Sequence, residues 1–171
     1  TRIGIDDRDD YGFLCAFVAR VAAAGCGTFV VHARKALLSG LSPRENREIP
    51  PLLYATVYRL KADFPALRII LNGGVDTLTE VGAHLAAGVD GVMVGRAAYH
   101  NPWLMADWDQ VFFGEEPSER SRETIETQMC DYMAREGAQH GTPWSVIARH
   151  MLGLRHGLPG ARRWRQVWSD H

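Results

Sequence analysis

Nothing in this 171-residue sequence is apolar for long enough to cross a membrane: no run approaches the roughly 18 residues that a span requires. The opening Thr1-Arg2-Ile3-Gly4-Ile5 carries no basic-then-apolar leader pattern and reads as the tail of a strand cut from something longer. Cysteine is scarce. Cys15, Cys26 and Cys130 form no CxxC pair and have no histidine at metal-ligand spacing, which points to a reduced, cytoplasmic protein without a metal. Net charge is nearly absent, −1 overall, and this speaks against a generally basic nucleic-acid binder. Hairpin signals, internal repeats and low-complexity tracts are missing too. What remains is an ordinary globular balance, 46% hydrophobic and 23% charged, enough for one real core.

The small net charge conceals an uneven distribution. Residues 106–136 hold nine acidic side chains against three arginines, a net of −6. Residues 142–171 hold Arg149, Arg155, Arg162, Arg163 and Arg165 against Asp170, a net of +4. Such polarity fits an anion-binding face at the C-terminal end, and equally a solvated helix surface.

Strand and helix patterns alternate over the first hundred or so residues. Phe13, Leu14, Phe17, Val18 and Val21 fall on one helical face that ends near Gly25. Thr28-Phe29-Val30-Val31-His32 is a short β-branched run of the kind buried in parallel sheets. Residues 33–51 then form a polar connection, long enough to suggest function or disorder. Leu53, Val57, Leu60 and Phe64 recur at helical spacing until Pro65, and residues 67–71 read as the next strand. Thr77 and Glu80 have capping-box spacing, with Leu78, Val81 and Leu85 as the stripe behind them. Residues 91–94 are a third apolar strand. Strand, helix and strand in this order mean βαβ units and a parallel sheet. Beyond Pro102 the strand signals stop. Ile125, Met129, Tyr132 and Met133 line a helix, Thr142-Pro143 opens another that carries Ile147, Met151 and Leu154, and residues 161–168 begin a last one.

Polar residues gather just past the strand ends: His32 with Arg34 and Lys35, then Asn72-Gly73-Gly74, then Gly95-Arg96. In parallel α/β folds and TIM barrels ligands bind at this face. Two glycines let a backbone approach a phosphate, a capped helix start points its amides the same way, and Arg96 offers a forked cationic donor. Barrels often hold a phosphate between the loops after strands seven and eight, which suits the two glycine motifs. Singly, each has a plain structural explanation, since NGG is a common turn and a strand-ending histidine is often a core residue. Together, at the same point of successive units, they point to a phosphate or a phosphorylated cofactor.

These residues also carry a family resemblance. His32-Ala33-Arg34-Lys35, Leu41-Ser42-Pro43-Arg44-Glu45-Asn46-Arg47, Asn72-Gly73-Gly74, residues 90–96 and Pro159-Gly160-Ala161-Arg162-Arg163-Trp164-Arg165 resemble the tRNA-dihydrouridine synthases. The stretch from His32 through Leu52 resembles the synthase A branch, and the likeness covers the whole chain. It implies the C-terminal half of an FMN-binding TIM (β/α)8 barrel at residues 1–105, a linker at 106–117, and a small all-helical tRNA-recognition domain at 118–171. It also implies reduction of D-loop uridines in tRNA, with NADPH recharging the FMN. Carried over residue by residue, His32 faces the flavin ring, and Asn72, Gly73, Gly74, Gly95 and Arg96 hold the FMN phosphate. Arg44, Arg47, Arg162 and Arg165 touch tRNA, and their basic character suits phosphate contacts in its own right.

The family's proton-donating cysteine, its N-terminal flavin contacts and a flavin-contacting lysine belong to the half of the barrel before Thr1, so no catalytic residue is expected here. Cys15, Cys26 and Cys130 read as packing or surface thiols. Trp144, Trp164 and Trp168 read as packing anchors, with base stacking as the alternative. Another FMN barrel, such as a dihydroorotate dehydrogenase, would share the phosphate site without needing the arginine-rich loop and tail. A non-catalytic RNA-binding remnant is the reading outside enzymes.

Overall fold

The computed structural model describes residues 1–117 and 119–169. Two compact units make up the chain, Thr1–Gly95 and Arg96–His171.

The first unit is α/β. Three parallel strands, β1 (Thr28–His32), β2 (Arg68–Asn72) and β3 (Gly91–Met93), lie in the order β1-β2-β3. Helices α1 (Tyr11–Ala23), α2 (Tyr54–Asp63) and α3 (Leu78–Ala86) alternate with them. The opening residues run along the free edge of β1: His32 N donates to Thr1 O at 2.9 Å, and Arg2 and Ile5 bridge His32 and Ala36 in parallel.

Period-two burial explains this core. Phe29 and Val31 of β1 and Ile69 and Leu71 of β2 are buried, and paired by register. The helices close over them with Leu14, Val18, Val57, Leu60 and Val81. Burying a side chain of this size stabilises by about 1.5–3 kcal/mol. Phe17, expected on the buried stripe of α1, is 42% exposed. The capping box at α3 is complete: Glu80 N donates to Thr77 Oγ1, and Thr77 N donates to the Glu80 carboxylate at 2.9 Å. At α1 the Asp10 carboxylate accepts from Phe13 N.

The second unit is helical: α4 (Arg96–His100), α5 (Trp108–Phe113), α6 (Arg122–His140), α7 (Trp144–Ala148) and α8 (Ala161–Ser169). Its core joins Met133, Ala148, Met151, Leu154 and Trp164, with Ile125, Met129 and Ile147 packed against it. The Trp164 indole N–H donates to Met151 O at 3.0 Å, so this ring is a packing anchor with its one polar atom satisfied.

Several details differ from the sequence reading. The stretch expected to be a linker contains α5, whose end at Gly114 is a left-handed cap. The division between units falls after Gly95 rather than near Met105. Pro143, not Thr142, stands at the N-cap position of α7 and makes no side-chain cap bond, and the helix stops at Ala148, leaving Met151 and Leu154 to reach the core from turns. Ser118, at the expected start of the helical domain, and Asp170 of the basic segment lie outside the described residues.

Candidate functional site

Parallel pairing puts the candidate residues of the first unit at one level. His32 aligns with Asn72, Asn72 with Met93, and Arg2 bridges His32 from the other side. Because Val31 and Leu71 are buried on the helix-covered face, His32 and Asn72 project to the opposite one. The chain beyond each strand is tied to its neighbour. Ala33 N donates to Asn72 O at 2.8 Å, and Leu53 N, at the end of the long connection, donates back to Ala33 O at 2.7 Å.

Gly73 and Gly74 follow Asn72 with φ of 115° and 66°, a region that strains any residue with a side chain. Space is tight as well. A Cβ on Gly74 would lie 2.5 Å from Leu52 Cδ1, and one on Gly73 would lie 3.1 Å from His32 Cε1. Gly74 is exposed, and no group among the described residues accepts from its N–H. An exposed amide in such a turn suits an oxyanion.

Positive charge collects beside this turn. The Arg2 guanidinium donates to Asn46 O at 2.9 Å and to Lys35 O at 3.3 Å. Burial, and then the nearby Arg34 and Arg47, depress its basicity. Arg34 donates to Pro50 O, while its Nε is buried without a partner among the described residues. Carbonyl acceptors satisfy donors without cancelling charge, so both guanidinium groups keep theirs, while at Tyr54 the Glu80 and Asp76 carboxylates oppose Arg34. Lys35 behaves differently. Its ammonium pairs with Asp9 at 2.9 Å and is tied to the α1 side of the sheet.

The long connection is ordered by side chains. Asn46 forms a two-bond pair with Leu37, accepting from its N–H at 2.8 Å and donating to its carbonyl at 2.7 Å. Ser42 and Glu45 cap each other, and these bonds hold the Glu45 carboxyl below its usual range. The resulting turn, Glu45–Arg47, displays Arg44 and Arg47 to solvent, with Arg44 3.6 Å from Glu48. An exposed pair of that length is worth well under about 1 kcal/mol and leaves Arg44 available.

Gly95 closes the first unit, and Arg96 opens α4 in the second. Within the second unit Arg162, Arg163 and Arg165 are exposed on α8, around the buried Trp164. The expected cationic tail is not uniform. Arg155 pairs with Glu123 at 3.1 Å and Glu126 at 3.0 Å, so the acidic and basic segments partly neutralise each other there. Trp144 is 42% exposed, and its ring centroid is 6.2 Å from that of Trp168. A cavity of about 390 Å³ lined by Trp103, Met105, Ile125, Met129, Met151 and Leu154 contains none of the site residues singled out from sequence.

Two participants are invisible as motifs. Arg2 stands at the start of the chain, and its role depends on pairing across thirty residues of sequence. Tyr54 opens α2 and bonds the glycine turn, a contact that no spacing rule announces. Of the cysteines, Cys26 donates to Thr28 O, Cys15 is half-buried and Cys130 is exposed. Among the described residues no cluster could hold a metal ion, and no helix is long and apolar enough to cross a membrane.

Comparison with known proteins matches this picture along the full chain. The family described as dihydrouridine synthase (Dus) matches residues 1–171. A tRNA-dihydrouridine(20/20a) synthase of Shewanella oneidensis is 52% identical over 171 residues, covering 100% of this chain and 50% of the relative. The protein of that name from Vibrio cholerae is 53% identical over 172 residues, covering 100% and 52%. That from Escherichia coli K12 is 52% identical, covering 100% and 49%. The chain thus spans about half the length of the curated relatives it matches. With the family match running from the first residue to the last, the chain belongs to the dihydrouridine synthase family.

Proposed function

We propose that this chain provides the C-terminal half of a TIM (β/α)8 barrel and a helical tRNA-recognition domain to an FMN-dependent tRNA-dihydrouridine synthase. One observation carries the reading: the register that sets His32 beside Asn72, with the left-handed Gly73-Gly74 turn, exposed at Gly74, next in the chain. A flavin phosphate would be met there by the Gly74 N–H, which is exposed and bonded to no group among the described residues, while Leu52 and His32 close the other side of the turn. Asn72, Gly73, Gly74 and Gly95 would hold that phosphate with Arg96, which follows Gly95 in the chain. His32 would face the ring.

When bound, FMN would supply the hydride for a uracil ring in the tRNA D-loop, with NADPH as the electron source. The protein's own part is to bind and orient. The Gly74 N–H would donate to the phosphate, and Arg96 would offset its charge. Arg44 and Arg47 in the long loop, and Arg162 and Arg165 on α8, hold phosphates of the tRNA backbone, fixing its register without reading bases. The proton that completes reduction comes from outside these 171 residues, since Cys15, Cys26 and Cys130 stand away from the C-terminal strand ends in the sequence.

A chimera tests this division of labour. The N-terminal half of the Shewanella oneidensis relative, joined ahead of Thr1, should form dihydrouridine in unmodified tRNA when FMN and NADPH are supplied. The 171-residue chain alone should leave uridine intact. Product from the chain alone would overturn the external proton donor, and no product from a folded chimera would overturn the activity.

A further inference from the structure

Tyr54, the first residue of α2, donates its hydroxyl to the Gly73 carbonyl at 2.8 Å. The Gly73–Gly74 peptide is trans, so its oxygen and its N–H point to opposite edges of one plane. Holding the oxygen against Tyr54 therefore aims the Gly74 N–H away from α2, toward the open side of the turn. Two successive glycines leave that peptide little steric resistance to rotation, and the phenol supplies the resistance.

Tyr54 is itself held. Its ring lies 4.5 Å from the buried His84 ring of α3, and His84 Nδ1 is 2.7 Å from the Tyr58 hydroxyl. Leu53, just before it, is anchored through its N–H to Ala33 O. Burial pushes the Tyr54 phenol above its usual range, which keeps the hydroxyl a donor.

We propose that Tyr54 is a positioning residue for anion binding: by clamping the Gly73 carbonyl, it aims the Gly74 N–H at the phosphate of a bound flavin nucleotide. This role rests on the flavin reading above and adds to it a residue outside the glycine motif. It makes a specific demand. Losing the clamp should weaken ligands that carry the phosphate and spare those that lack it.

The experiment compares FMN with riboflavin, its phosphate-free form, by fluorescence titration of the chimera described above and of its Tyr54→Phe and Tyr58→Phe variants. Tyr54→Phe keeps the ring against His84 and removes only the donor. FMN should bind about five- to tenfold more weakly to Tyr54→Phe, the equivalent of roughly one hydrogen bond, with riboflavin unchanged. Tyr58→Phe, which alters the bond to His84 and not the turn, should match the parent. In the flavin-free protein, the amide resonance of Gly74 should move in Tyr54→Phe and stay in Tyr58→Phe. An unmoved Gly74 resonance, unchanged FMN affinity, or equal weakening of FMN and riboflavin would overturn the clamp. A folded parent chimera that binds neither flavin, or binds riboflavin as tightly as FMN, would instead overturn the flavin-phosphate reading on which the clamp depends.

Discussion

The two units bury apolar residues in different ways and hold their polar residues accordingly. In the first, Val18, Val31, Val57, Leu60, Ile69 and Leu71 are sealed between helices and one face of the sheet. Backbone pairing then places His32, Asn72 and the glycine turn at strand ends, where position is set by register. In the second, the core is a small cluster around Trp164, rich in methionine, and the polar residues are arginines on outer helix faces. A strand-end site recognises by geometry, whereas an arginine surface recognises by charge and remains salt-sensitive. The difference suits a small anion in one unit and a polyanion in the other.

The largest effects should come from the two cores. Leu71→Ala in the first is expected to cost about 2–5 kcal/mol, and Trp164→Ala in the second about 3–5 kcal/mol, because each leaves a cavity among rigid neighbours. The tryptophan change also removes one of the two donors to the Met151 carbonyl, which keeps its bond from Leu154 N at 2.9 Å. Urea unfolding followed by circular dichroism measures both. A destabilisation below about 1 kcal/mol for Trp164→Ala would show that the second core does not depend on that ring.

Next in size are the arginines, which should fail in different ways. With the N-terminal half restored, Arg96→Ala should weaken flavin about ten- to hundredfold, the equivalent of a charge-assisted bond of roughly 1.5–3 kcal/mol, and leave tRNA affinity intact. Arg162→Ala or Arg165→Ala should leave flavin bound and reduce the salt slope of tRNA binding by about one unit for each phosphate that the missing side chain had neutralised. Flavin titration and tRNA titration at two salt concentrations decide it. Weakened flavin in Arg162→Ala with unchanged tRNA binding would reverse the assignment of the two surfaces.

The smallest effect should be pH dependence confined to the first unit. Burial holds the His84 imidazole below its usual range, opposed by the nearby Glu80 carboxylate, and Tyr58 shares its hydrogen bond. Its folded-state value lies under the unfolded one, so the unfolded chain takes up the proton first. Stability is therefore complete above the unfolded value of about 6.5 and falls as pH drops through the folded one. Depressed carboxylates such as Glu80 lose their contribution only further down, below about pH 4.5. Urea midpoints at about pH 7.5 and about pH 5.5 should differ in the parent and converge in His84→Gln. An unchanged slope in that variant would mean that another group titrates.

Much of this architecture is legible locally. The run Thr28–His32 is β-branched and apolar, and it forms β1 with those same ends. Thr77 and Glu80 make both bonds of the capping box because the four residues involved are neighbours in the chain. Helix α5 is concealed in the sequence because acidic residues and Gly114 look like a linker, although its Trp108 and Phe112 rings, 6.0 Å apart, meet one turn apart. The end of α7 is equally hidden. Met151 and Leu154 keep helical spacing and are buried as expected, but they reach the core from turns. At the candidate site, the paired glycines stand out in the sequence, whereas the phenol that holds them lies nineteen residues before Gly73 and belongs to no motif.

Chain order alone determined that strands and helices alternate, that the sheet is parallel, and that polar groups and paired glycines follow the strands, because periodicity, capping and turn chemistry are short-range. Tertiary structure decided the rest. It brought Arg2 to Asn46, Asn46 to Leu37, Arg155 to Glu123, and the Tyr54 hydroxyl to the Gly73 carbonyl. Each of those contacts joins groups beyond the reach of a single turn, whose meeting depends on register and packing that no local pattern encodes.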